Sequence, residues 1–217
     1  MAVQEYRIRF DGTTALVMHN NRCVNPLDPL KKKIAAITTK GSKRLTDADY
    51  QQLYRLEFQA SIYHNDHLGP HVPSRCIRAT LVNGARKNRD GKQFESGVWV
   101  HGDASVQYDG PKDMEGLLAA GSYDEDGFMW TTVCGNQRAS IMRTRPRFDD
   151  WSIEFVVDVE DELVTLAMLE GALRAAEVQV GICDGRSIGF GRFKATIVNE
   201  PKAAQTNGRV RKTLVSS

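Results

Sequence analysis

The stretch Trp151–Val159 constrains the fold more than any other part of the chain. It reads as a strand with apolar residues on both faces, the pattern of a strand inside a sheet and not at its rim. A helix is expected next, over Asp161–Ala176. Leu163, Leu166, Met168 or Leu169, and Leu173 recur there at helical spacing, and Glu160, Asp161 and Glu162 suit a helix N-terminus. Val178–Ile182 reads as a short extended segment, Asp184–Arg192 as a glycine-rich loop and Phe193–Val198 as a final strand.

The front of the chain begins with a strand in which Tyr6, Ile8 and Phe10 alternate with Arg7 and Arg9. Thr13–Met18 continues as extended, apolar chain. Asn20–Arg44 holds two prolines, no clean period and the basic clusters Lys31–Lys33 and Lys40–Arg44. It is expected to be a long, mobile insertion spanning about residues 20–45. Thr46 and Asp49 have the spacing of a capping box, predicting a helix over Asp47–Tyr63. His64–Val72 reads as a turn. Pro73 and Ser74 open a second helix, with Ser74 as N-cap and Ile77, Leu81 and Ala85 as its apolar stripe. Gly97–His101, Ser105–Tyr108 and Phe128–Val133 have strand character, punctuated by turns at Asp109-Gly110, Asp126-Gly127 and Cys134-Gly135-Asn136. Strands and helices do not alternate regularly, so the class is α+β with an antiparallel sheet.

The 217 residues suit one domain, here taken as 1–200 followed by a disordered basic tail over 201–217. Hydrophobic residues make up 41%, enough for a core. No apolar run approaches the ~18 residues of a membrane span, and the N-terminus shows no signal-peptide core, which predicts a cytoplasmic protein with no membrane partner. Cys23, Cys76, Cys134 and Cys183 form no C-x-x-C pair and read as free thiols. The net charge is only +2, so a basic surface must come from arrangement and not from excess.

Gly185, Gly189 and Gly191 fall within seven residues. Glycine permits positive φ and close backbone approach, so exposed amides there, with Arg186 and Arg192, can cradle phosphates. The loop follows a helical region and opens a strand. A dinucleotide or Walker loop does the reverse. A tight turn packed on the sheet is the other reading. Arg143, Arg145 and Arg147 lie two apart and share one strand face, with Arg138 extending the patch. Phe148, Trp151 and Trp130 nearby offer stacking surfaces. The same pattern also describes a solvated strand face with core aromatics, and Pro146 marks an irregular or edge strand. His64, His67 and His71 with Cys76 match no zinc spacing, and no metal or other cofactor is expected. His19 has no evident catalytic partner in the sequence, so no catalytic residue is assigned and an enzyme is the minority reading.

Two segments carry a family resemblance. Leu169–Leu173 with Val180–Phe193 resembles the C-terminal signature of the RAMP superfamily, the repeat-associated proteins of CRISPR systems. His71–Ala85 is similar to the segment in which backbone subunits of that superfamily open a helix over the guide strand. Arg143–Trp151 with the glycine-rich end also resembles bacteriophage proteins of the same layout. The resemblance implies a ferredoxin-like or RRM-like core. It also implies a sequence-independent binder of single-stranded RNA or DNA that forms homo-oligomers along the strand, with CRISPR subunits as further partners. Ser74, Arg75 and Arg78 of the helix, the loop Gly185–Arg192 and the lysines Lys31, Lys32 and Lys33 of the insertion would then flank the strand. A metal-independent ribonuclease of the superfamily using His19, or a phage protein acting on a host CRISPR complex, are the alternatives.

Overall fold

The computed structural model describes residues 2–41, 44–136, 139–198 and 202–203. In chain order, β1 (Val3–Gly12) is followed by β2 (Leu16–Val17), α1 (Pro29–Thr38), α2 (Asp47–Ser61), the small hairpin β3 (His64–Asn65) and β4 (Gly69–Val72), and α3 (Ser74–Lys87). Then come α4 (Gly91–Gly97), β5 (Val98–His101), β6 (Ala104–Ser105), α5 (Met114–Ala120), β7 (Met129–Asn136) and β8 (Ala139–Phe148). The chain continues through β9 (Ser152–Glu160), α6 (Leu166–Ala175), β10 (Phe193–Ile197) and β11 (Lys202–Ala203).

The main sheet has the order β10-β1-β9-β5, antiparallel throughout, with β11 pairing the start of β1. Its frame is β1-α3-β5-β9-α6-β10, which is the ferredoxin-like β-α-β-β-α-β arrangement with the last strand beside the first. β9 is an interior strand between β1 and β5, but only one of its faces is buried: Ser152, Glu154 and Asp158 stand on the other, which corrects the expectation of two apolar faces. Tyr6, Ile8 and Phe10 of β1 face the same way as Ile153, Phe155, Val157 and Val159 of β9. They pack against Ile77, Leu81 and Ala85 of α3 and Leu169, Ala172 and Leu173 of α6 in one core. The two helices approach closely at Gly84, where a Cβ would fall 2.3 Å from the Ala172 carbonyl oxygen.

The insertions build a second layer. β7 and β8 form an antiparallel ribbon, and β2 pairs the end of β8 through Leu16 and Phe148. α2 packs on β8, and α1 packs on α2 through Ile34, Ile37, Leu53, Leu56 and Ala60.

Several local expectations are corrected. Asn20–Arg44 was expected as irregular chain, but it carries a 3₁₀ turn (Asn21–Val24) and α1. Asp28 caps α1 with Pro29 as its first residue, a start signal that looks like a breaker when read by composition. His64–Val72 is a hairpin, not a plain turn. Cys134-Gly135-Asn136 lies within β7, because β8 pairs it as far as Asn136. α6 begins at Leu166, where Thr165 accepts from the Met168 amide. The acidic Glu160–Glu162 belongs to the end of β9 and the turn before the helix. Val178–Ile182 was expected to be extended, but Ala176–Val180 is a π-helical turn that prolongs α6. Helices α4 and α5 were not expected. The predicted capping box at Thr46 and Asp49 is present. Of the predicted tail, Lys202–Ala203 pairs with β1, and the rest lies outside the described residues.

Candidate nucleic-acid interface

The glycine-rich loop is held on all sides. Gly185, Gly189 and Gly191 have φ of 69°, 99° and 67°, values that favour glycine. At Gly191 a Cβ would fall 2.0 Å from the Ile182 carbonyl oxygen, so space forbids a side chain as well. The Gly191 amide donates to Ala15 O at 2.8 Å and the Asp184 amide to Val17 O at 2.9 Å. The Thr14 hydroxyl donates to Gly189 O and accepts from the Arg192 amide, both at 2.9 Å. The amides of Asp184, Gly191 and Arg192 are therefore engaged with the chain that follows β1, and those of Ile188, Gly189 and Phe190 with carbonyls of the loop itself. Those of Arg186 and Ser187 open a 3₁₀ turn and have no intrahelical partner. The tight-turn reading accounts for the glycines. What the turn presents to solvent are the exposed Arg186, Ser187 and Ile188.

The arginine stripe meets this loop but does not carry free charge. Arg143, Arg145 and Arg147 share one face of β8, and each is ion-paired. Arg143 holds the buried Glu57 of α2 at 2.6 Å, with the Thr144 amide on the other carboxylate oxygen at 2.8 Å. Arg145, 14% exposed, pairs with Asp184 of the loop at 3.1 Å. Arg147 pairs with Asp149 at 2.8 Å and lies over the Tyr123 ring at 4.1 Å. Phe190 of the loop packs edge-on against Trp130 of β7, and Arg147 lies near both rings. The stripe thus fastens the loop to the ribbon. Phe148 and Trp151, expected as stacking surfaces, are buried in the core. Arg138 lies outside the described residues.

The exposed cations gather elsewhere. An open groove of about 680 Å³ runs between the second half of α3 and the loop. Its rims carry Arg86 and Lys87 on one side and Arg186 and Arg192 on the other, with Asp184 below. Arg192 is fixed by donating to Val178 O at 2.9 Å and Arg186 O at 3.4 Å. A smaller depression, which shares Asn83 and Arg86 with the groove, is lined by Arg78 and Arg75. Glu95, paired with Arg86 at 2.6 Å, is the carboxylate on that side. So the sequence-predicted Arg75, Arg78, Arg186 and Arg192 are brought to one surface. Arg86 and Lys87 join them; they lie in the last turn of α3, where cations are common, and the sequence alone does not single them out.

Other predicted residues are placed apart from the groove. Ser74 is not the N-cap of α3: Pro73 holds that position, and the Ser74 amide donates to Asp103 Oδ1 at 2.8 Å. Asp103, from the loop after β5, also faces His71 Nε2 at 3.5 Å. Lys32 and Lys33 are exposed on α1, and Lys31 lines a separate 210 Å³ pocket with His19, Cys23, Arg143 and Arg145. In that pocket the His19 ring contacts both Arg145 and Asp184. Hydrogen bonds to Asp184 and Cys23 push His19 up to about 9, against burial and the Arg145 charge. Burial acts to raise the Cys23 thiol, but its hydrogen bonds to His19 and Ser61 outweigh this and leave it below the usual range. His64 bonds the Lys112 carbonyl, and His71 is buried against Gly69 O. Among the described residues, no set of three His, Cys, Asp or Glu side chains is arranged to hold a metal. Also among the described residues, no helix is long and apolar enough to cross a membrane.

Comparison with known proteins yields little at the level of sequence. No family model matches the chain, and no curated protein does. Among solved structures, the chain is similar to a chain of the Type III-B Cmr-beta bound to cognate target RNA, determined by cryo-electron microscopy. The two are 10% identical with a TM-score of 0.49, over 93% of this chain and 60% of that one.

Proposed function

We propose that the groove between α3 and the glycine-rich loop binds single-stranded nucleic acid without reading its sequence. The observation that carries this reading is convergence. Arg86 and Lys87 of α3 face Arg186 and Arg192 of the loop across the groove, and Arg75 and Arg78 line the adjoining depression, with Glu95, Asp103 and Asp184 as the acids near them. A net charge of +2 conceals this local excess. Guanidinium and ammonium groups without a base-reading pocket hold phosphates and leave bases unread. The ferredoxin-like frame supports kinship with the RAMP superfamily, and with it a place beside CRISPR subunits and RNA as the strand. Assembly of several copies along one strand is part of the proposal. The exposed Val133, Ile141 and Met142 near the end of the β7–β8 ribbon offer an apolar contact for a neighbouring copy.

Fluorescence anisotropy with labelled single-stranded RNA, single-stranded DNA and duplex tests the reading. Salt-sensitive binding to single strands and weaker binding to duplex are expected, because phosphate contacts release counterions. Equal affinity for duplex, or binding that does not respond to salt, contradicts it.

A ribonuclease is the second reading, and one arrangement favours it. His19, kept protonated at neutral pH by Asp184, stands beside Arg145 and the Lys31 pocket as a proton donor next to cations. Cleavage of RNA in chelator, lost in His19→Ala, would establish it. Intact RNA after long incubation would remove it.

A further inference from the structure

The pocket bounded by α1, α2 and β8 lies apart from the groove and gathers cations around a small void. Its volume is about 210 Å³, under the ~300–1,000 Å³ of pockets that hold drug-sized ligands. His19 reaches it from the chain after β2, Lys31 from α1, and Arg143 and Arg145 from β8. Val24, Ile34 and Ala60 supply apolar wall. The local structure explains the lysine. Asp28 accepts from the Leu30 amide at 2.9 Å and the Lys31 amide at 3.4 Å, which fixes the first turn of α1. Ile34 follows one turn later on the same face and packs with Leu53, Leu56 and Ala60 of α2, so Lys31 is carried to the pocket.

The charges there do not cancel. Glu57 has both oxygens occupied, one by Arg143 at 2.6 Å and the other by the Thr144 amide at 2.8 Å. Asp184 holds Arg145 at 3.1 Å and faces His19 at 3.8 Å. Lys31 is half-buried, and among the described residues it forms no ion pair and no side-chain hydrogen bond. Four cations therefore stand against two carboxylates, with His19 keeping its proton at neutral pH chiefly through Asp184. A cation in the first turn of a helix also opposes the helix dipole, so an anion beside Lys31 is favoured by both.

We infer that this pocket binds a small phosphomonoester, its phosphate held by Lys31, Arg143 and His19 and its short carbon group lying on Val24, Ile34 and Ala60. An excess of two positive charges matches a phosphate of about −1.5 to −2. An ammonium supplies a point charge and a guanidinium a planar fork, the two donor types that phosphate oxygens take. A monoester carries its whole charge in one head and leaves carbon for the apolar wall. A dicarboxylate would divide its charge between two ends. The inference does not rest on the groove reading.

The test is isothermal titration calorimetry of the full chain at low ionic strength with propyl phosphate, orthophosphate and propanol. One propyl phosphate should bind per chain, at least about fourfold more tightly than orthophosphate, the gain from one buried methylene. Propanol should give no binding. Lys31→Gln should weaken propyl phosphate at least about tenfold, as loss of a charge-assisted hydrogen bond does. Val24→Asp, at a position 75% exposed and so safe for folding, should weaken it too by adding a carboxylate to the lining. The groove variant Lys87→Glu, Arg186→Glu should bind it like wild type. No binding of propyl phosphate overturns the site. Wild-type affinity in Lys31→Gln and Val24→Asp, or loss of binding in the groove variant, overturns its location. Orthophosphate binding as tightly as the ester overturns the carbon contact. Displacement of the probe by a 5′-phosphorylated oligonucleotide, but not by its 5′-hydroxyl counterpart, overturns a free ligand in favour of a strand end.

Discussion

Arg145 Nη1 and Asp184 Oδ2 lie 3.1 Å apart, and this ion pair joins the ribbon strand β8 to the glycine-rich loop. Two features that look like parallel binding elements in sequence are thereby one structural joint. Asp184→Asn removes the charged half of the joint and leaves Arg145, largely buried, without its carboxylate. The expected cost is about 1–2 kcal/mol, in the range of a charge-assisted hydrogen bond. A lower urea midpoint at unchanged m-value would show it. An unaltered midpoint would mean the loop is held by its backbone bonds alone.

Arg143 gives the clearest contrast between stability and binding. Arg143→Ala strips the buried Glu57 carboxylate of its guanidinium and leaves it the Thr144 amide. The expected loss is about 2–3 kcal/mol, below the full buried-pair range because the arginine side chain is partly exposed. Affinity for single strands, measured well below the melting transition, should change little. A large drop in affinity with wild-type stability would return the stripe to the role it has in the sequence reading.

His19 should make stability depend on pH. It holds its proton to about 9 when folded, against roughly 6.5 when unfolded. Its contribution is therefore complete below pH ~6.5 and disappears as pH rises through ~9. The side chain is 35% exposed, so screening reduces the contribution to about 1 kcal/mol. The difference in stability between wild type and His19→Asn should shrink between pH 6.5 and 9.5. A constant difference across that window would count against the proton held by Asp184.

The glycines of the loop should separate by position. Gly191→Ala combines φ of 67° with a Cβ 2.0 Å from a backbone oxygen, so it should cost about 3 kcal/mol or more. Gly189→Ala meets nothing within 4 Å and pays for its positive φ alone, about 1 kcal/mol. Thermal melts of the two variants measure the difference directly. Equal losses would contradict the packed-turn account of the loop.

The sheet frame was legible because its strands obey a period of two and α3 a narrow apolar stripe. Tyr6, Ile8, Phe10, Ile77, Leu81, Ala85 and the β9 residues fall in the core as their spacing requires. α1 was not legible, because Asp28 and Pro29 serve both as a helix start and as a loop signature. The site was legible in half. Arg75, Arg78, Arg186 and Arg192 carry recognisable local context. Arg86 and Lys87 resemble any basic helix end. The stripe misleads because its partners are remote: Glu57 is 86 residues from Arg143. No local pattern reveals that such charges are already matched.

The central claim is that α3 and the glycine-rich loop form one phosphate-holding groove. Lys87 and Arg186 face it from opposite walls, both are exposed, and neither forms an ion pair among the described residues. The most direct test is the salt dependence of single-strand binding in the double variant Lys87→Glu, Arg186→Glu. The claim predicts at least about a tenfold weaker Kd at low salt and a log–log salt slope shallower by about 1.4, for two lost phosphate contacts. Wild-type affinity and slope in a folded double variant would contradict it.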